Sequence, residues 1–214
     1  MDSKEIKAII FDFDGTICDS LSIKGEAFSS LYKSYGQEIQ KRIKDFHDEN
    51  GGVSRTDKFI FFQKEIVSED YSKKKINELS EKFSKIVTKK VIEANFIDGA
   101  LEFLNKHHKN YKLFISSATP TEELKTIIKE KQMAQFFNHV YGSPQSKSDH
   151  IRSIMEITNY SQHEIVFVGD AFSDQYAAKN TGVKFIAVGE NDSIKSAAKR
   201  IPNLFNLEEI ILRY

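Results

Sequence analysis

Short apolar runs alternate with stretches of helical periodicity along most of this 214-residue chain, and nothing else in it restricts the fold so strongly. The runs are Ile6 with Ala8 to Phe11, then Tyr111 to Ile115, Phe136 to Tyr141, Ile165 to Val168 and Phe185 to Val188. Each is too short for a helix and apolar enough to be covered on both faces, as strands inside a parallel sheet are. The intervening helical patterns supply the crossovers that such a sheet requires. They carry Leu101, Phe103 and Leu104, then Leu124, Ile127 and Ile128, then Ile151, Ile154 and Met155, then Tyr176, Ala177 and Ala178. Thr119, with Pro120 next and Glu122 three residues on, reads as a capping-box start. Ser148 or Asp149 is read as opening the helix that follows a loop carrying Lys147. The tail closes with Ile194 to Ala198 and an amphipathic turn from Leu207 to Leu212. The expected fold class is α/β, a doubly wound parallel sheet.

One long interruption breaks the alternation. From Asp19 to Asn95 strand-like runs vanish and four charged, amphipathic helices are expected. Ile23, Ala27, Leu31 and Tyr35 mark the first, with Gly36 as its stop; Ile39, Ile43 and Phe46 mark the second. Ser54 caps a third bearing Phe59, Phe62, Ile66 and Val67, and Ile76, Leu79, Phe83, Ile86, Val87 and Val91 define the fourth. The division expected is an α/β core of residues 1–18 and 96–214 with a helical domain of residues 19–95. Seventeen Phe and eight Tyr supply ample core, and the Phe59 to Phe62 cluster reads as part of it. Lys plus Arg total 31, as do Asp plus Glu, so no net basic field exists to hold nucleic acid. The single cysteine, Cys18, excludes an internal disulfide framework, fits a reducing cytoplasm and reads as a small buried residue. The N-terminus lacks a signal-peptide layout and no run approaches membrane length, so no membrane partner is expected.

The polar residues that punctuate the strands suggest chemistry. In open parallel sheets ligands bind at the carboxyl ends of the strands. Those ends deliver Asp12 and Asp14, Ser116, Lys147 after a loop, and Asp170. Two carboxylates two residues apart repel, inviting a divalent cation, a shared proton, or both. An ammonium and a hydroxyl supply donors for phosphate oxygens. A carboxylate attacking phosphorus gives an aspartyl-phosphate, and a second acid can protonate the leaving oxygen and then deprotonate water.

Asp12-Phe13-Asp14-Gly15-Thr16, Ser116, Lys147 and Gly169-Asp170-Ala171-Phe172-Ser173-Asp174 resemble the four ordered motifs of the haloacid dehalogenase superfamily. The helical insertion directly after the first motif resembles the subclass with its cap there, as in phosphoglycolate phosphatases and β-phosphoglucomutases. The resemblance implies a Rossmann-like core with a four-helix cap inserted after the first strand. It also implies Asp12 as nucleophile and Asp14 as general acid/base. Mg²⁺ would be held by Asp12, the Asp14 backbone carbonyl and Asp170, with Asp174 supporting. Ser116 and Lys147 would hold the phosphate, and the neighbouring Ser117 could exchange roles with Ser116.

The activity implied is Mg²⁺-dependent hydrolysis of a small-molecule phosphate monoester. A phosphomutase of the β-phosphoglucomutase type shares the whole site and is the alternative, with a non-catalytic phosphate-binding module behind it. A dehalogenase has no use for Asp14, and a response-regulator receiver lacks the insertion. Family members read the leaving group with a loop of the cap, and Asn50 to Arg55 is the candidate here. Gly52 would allow close backbone approach and Arg55 would clamp an anionic group, with His47 and Lys58 as weaker neighbours.

Overall fold

The computed structural model describes residues 5–50, 53–191, 194 and 196–214. Six strands form one parallel sheet: β1 (Ala8–Phe11), β2 (Lys112–Pro120), β3 (His139–Ser143), β4 (Ile165–Gly169), β5 (Lys184–Val188) and β6 (Arg200–Ile201). Their order is β3-β2-β1-β4-β5-β6, which puts β1 between β2 and β4 and makes it the point where the winding direction reverses. Alternation along the strands divides the core between the two faces. Ile9, Phe11, Leu113, Ile115, Val166 and Val168 face one way, into the larger cluster. Ala8, Ile10, Phe114, Ile165 and Phe167 face the other.

Between β1 and β2 the chain forms α1 (Leu21–Leu31), α2 (Gln37–Glu49), α3 (Arg55–Phe61) continuing into a π-helical segment (Phe62–Val67), α4 (Lys73–Glu93) and α5 (Ala100–His107). The four-helix insertion after the first strand is therefore present. Its centre is aromatic: the Phe28 ring lies 4.0 Å from Phe83 and 5.2 Å from Phe59, centroid to centroid. Phe59 and Phe62 are fully buried, as a core role requires. The two connections to the sheet run side by side, with Asp19 N–H donating to the Asn95 carbonyl and Ile97 N–H to that of Ile17. The remaining helices are α6 (Thr121–Glu130), α7 (Lys147–Thr158), α8 (Phe172–Thr181) and α9 (Leu207–Ile211). Cys18 is buried, and burial pushes its thiol up to about 11, leaving it inert at neutral pH.

Several boundaries differ from the sequence reading. β2 does not stop at Ile115 but runs to Pro120, because β3 offers Tyr141 and Ser143 as partners for Ser116 and Pro120. The expected capping box at Thr119 is consequently absent: α6 starts at Thr121, its N-cap is Pro120, and Thr119 serves the site instead. β3 starts at His139, since Ala134–Phe136 form a 3₁₀ turn. Lys147 lies in the first turn of α7 rather than in a loop, because Ser146, two residues before Ser148, is the N-cap and makes a capping box with Asp149. The short edge strand β6 was not anticipated, and the described residues of 194–198 form no α-helix.

Candidate active site

The chain leaves β1 at Asp12, whose backbone N–H still donates to the Val168 carbonyl of β4 at 2.9 Å. A tight turn follows, in which Ile17 and Cys18 both donate to the Phe13 carbonyl and Gly15 to that of Cys18. Gly15 has φ +80°, and a Cβ there would stand 2.5 Å from an oxygen of Asp170. At the end of β4, a Cβ on Gly169 would meet the Asp174 carboxylate, also at 2.5 Å. Both glycines are thus required for the acids to approach one another.

Three carboxylates converge there: one oxygen from each of Asp12, Asp170 and Asp174 lies within 4.8 Å of the others, all buried. Lys147 joins them, its Nζ 2.8 Å from Asp12 Oδ2 and 2.6 Å from Asp174 Oδ1. Asp174 Oδ2 accepts the Ala171 N–H at 3.0 Å, so both of its oxygens are engaged by the protein. Asp170 Oδ1 accepts from the Thr16 hydroxyl at 3.1 Å. Burial raises the Asp12 and Asp170 pKa values; mutual repulsion and Asp174 add to this, against the pull of Lys147. Lys147 is shifted upward despite its burial, because Asp12 and Asp174 flank it. The donor set is hard, anionic and short of positive charge, which suits a small divalent cation.

Asp14 sits in a different environment. Lys24, from α1, forms an ion pair with its Oδ2, and the Thr119 hydroxyl donates to the same oxygen at 3.1 Å. Ser20 donates to Oδ1 at 2.5 Å, and Ser117 Oγ lies 3.5 Å from Oδ2. Burial alone would raise the Asp14 pKa; the Lys24 charge and these hydrogen bonds outweigh it and hold the carboxyl below its usual range.

Asp12, Asp14 and Asp170 line the floor of a cavity of about 50 Å³, with Lys24, Arg55 and Lys58 of the insertion facing them. Ser117 also lines it, whereas the Ser116 hydroxyl pairs with His150 Nδ1 at 2.8 Å. Arg55 bridges instead to the sheet side, with one guanidinium nitrogen 2.7 Å from Glu123 of α6 and the other 2.5 Å from Ser84 of α4. Gly52 lies outside the described residues. Lys58 and His47 reach the cavity together, Nζ to Nδ1 at 2.8 Å. Lys24 and Thr119 are the site residues that sequence reasoning missed. Lys24 reads as one more charge on a charged helix, and Thr119 reads as a cap.

With this geometry in view, the relatives are informative. A phosphorylated carbohydrates phosphatase of Thermotoga maritima is 23% identical over 186 residues, covering 85% of this chain and 84% of its own. The β-phosphoglucomutase of Clostridium difficile superposes with a TM-score of 0.80 at 18% identity, over 98% of each chain. A HAD-hydrolase of Bacillus subtilis, solved bound to magnesium and described as revealing interdomain movement, gives 0.74 at 17% identity over 98% of this chain and 100% of that one. The family model for haloacid dehalogenase-like hydrolases matches residues 9–188, a span from β1 through β5 that carries every acid of the cluster, and the chain belongs to that family.

Proposed function

We propose that this enzyme is a phosphatase of small-molecule phosphate monoesters, working with Mg²⁺ through an aspartyl-phosphate on Asp12. The observation that carries the reading is the convergence of Asp12, Asp170 and Asp174 around Lys147 at the ends of β1 and β4. The names of the Thermotoga phosphatase and of the magnesium-bound Bacillus hydrolase support the substrate class and the ion.

Mg²⁺ would be held by Asp12, the Asp14 carbonyl and Asp170, and when bound it supplies neutralising charge to phosphoryl oxygens. Asp174 supports the site, since Lys147 and the Ala171 amide engage both of its oxygens. Lys147 offsets repulsion between the Asp12 carboxylate and an anionic phosphate, and Ser117, the serine that lines the cavity, donates to its oxygens, while Ser116, expected from sequence for this role, is turned to His150. An Asp12 oxygen bonds to phosphorus as the ester oxygen leaves, and Asp14 gives that oxygen its proton. Asp14 then takes a proton from the water that hydrolyses the intermediate. The ionised form favoured by Lys24 suits this second step. To act first as an acid Asp14 must gain a proton, which withdrawal of Lys24 from Oδ2 would permit.

Asp12→Asn removes the nucleophile and little volume. With Mg²⁺ present it should show no measurable phosphatase turnover while its circular dichroism matches the parent. Chelation of the parent should abolish turnover reversibly. Sustained activity in either case would overturn the mechanism.

A further inference from the structure

The cations around the cavity are not equivalent. Lys24 is paired with Asp14, Arg55 with Glu123, and Lys147 with Asp12 and Asp174. Lys58 has no carboxylate within salt-bridge distance among the described residues. Its hydrogen-bond partner is the neutral ring of His47, whose pKa burial, then Lys58 and Lys24, draw down to about 3. Both side chains are almost fully enclosed, Lys58 at 2% exposure and His47 at 4%. The ammonium lies 5.7 Å from the centre of the Phe28 ring.

An ammonium in such a place is costly unless an anion accompanies it. Burial, with help from Lys24 and Lys147, brings the Lys58 pKa down to about 7, although Asp14 and Asp48 pull the other way. Lys58 also stands on the insertion and lines the same cavity as Asp12. A phosphate seated beside Asp12 and Lys147 would present its leaving group toward the insertion. Arg55, the residue that sequence pattern put forward for this task, is already held by Glu123 and Ser84.

We propose that Lys58, positioned by His47, selects substrate by pairing with a second anionic group, carboxylate or phosphate, carried on a short leaving group. The inference rests on the phosphatase reading above and narrows its substrate class. Lys58 and Asp12 line one cavity, which places that second group near the ester oxygen.

Matched esters test it. 2-Phosphoglycolate and ethyl phosphate have the same carbon count and differ in the carboxylate; 1,2-ethanediol bisphosphate supplies the phosphate arm. The parent should prefer at least one ester with an anionic tail over ethyl phosphate by roughly 10–100-fold in kcat/KM, the range expected of a buried charge-assisted pair. Lys58→Met should collapse that ratio, mainly through KM, and Lys58→Arg should restore part of it. Lys58→Gln, checked by circular dichroism, is a second neutral variant should the Met variant fold poorly. A parent that hydrolyses all three esters without preference, or neutral variants that keep the ratio, would overturn the role of Lys58 and leave the phosphatase reading standing. A parent that hydrolyses none of them in Mg²⁺, nor an activated aryl phosphate, would overturn the phosphatase reading itself.

Discussion

His150 shows how one residue's titration reaches the stability of the whole protein. Its ring is 2% exposed, stacks on Tyr141 and meets the Ser116 hydroxyl. Burial draws its pKa down to about 4 from 6.5; nearby Lys147 adds to the shift, while the Gly142 backbone and Asp149 oppose it. Between those two values the unfolded chain binds a proton that the folded protein refuses. The contribution of His150 to stability is therefore whole above pH 6.5 and is lost as the pH falls toward 4. Urea melts of the parent should lose about 3 kcal/mol more across that window than melts of His150→Asn. His47 titrates in both proteins and cancels from the difference. Equal slopes would show that the imidazole takes up its proton while folded. At this scale the sequence was only partly legible. Asp12, Asp14, Lys147 and Asp170 were visible because they follow the strand runs in order, and Asp174 only through the resemblance of the Gly169–Asp174 motif. Lys24 was not, because its value lies in a contact with Asp14 that exists only once the turn from Asp12 to Cys18 has folded and brought α1 beside that carboxylate.

Among the elements, α3 and α4 are fastened to α6 through one polar knot. Arg55 donates to Glu123 and to Ser84, Ser84 donates to the other Glu123 oxygen at 2.6 Å, and the guanidinium lies 4.5 Å from the Phe83 ring centre. The Arg55 and Glu123 side chains are 8% and 9% exposed. Breaking one half of a buried pair strands the other, at a typical cost of about 3–5 kcal/mol. Glu123→Gln should accordingly lower Tm by roughly 6–20 °C for a protein of this size. A shift under two degrees would mean that water already screens the knot. Strand and helix identities were readable because burial on both faces writes continuous apolar runs, and amphipathic helices write a different period. Their ends were harder to read. Thr119 carries the composition of a helix cap, yet β3 draws the backbone onward as strand, and tertiary pairing overrode the local signal. The Arg55–Glu123 knot joins charges 68 positions apart, and no local pattern marks them as partners.

On the scale of the molecule, the order β3-β2-β1-β4-β5-β6 was open to anticipation only as a class, since the run pattern requires a parallel sheet without saying which strands are neighbours. The site depends on one of those pairings. Thr16 and Asp170, hydrogen-bonded across the β1–β4 seam, are separated by 154 positions along the chain. The insertion, by contrast, closes mostly over neighbouring helices. Bringing distant segments together carries a loop-closure cost that local helical contacts avoid. A growing polypeptide therefore exposes Asp12, the proposed nucleophile, early and gains Asp170 only when most of its length has been made. Refolding from denaturant should retrace that order: ellipticity at 222 nm should return ahead of ester hydrolysis, and both signals rising with one rate would show that helices and site form in a single step. On the proposed mechanism competence is thus a late acquisition in the life of the chain, since a polypeptide that stops before β4 carries Asp12 without Asp170.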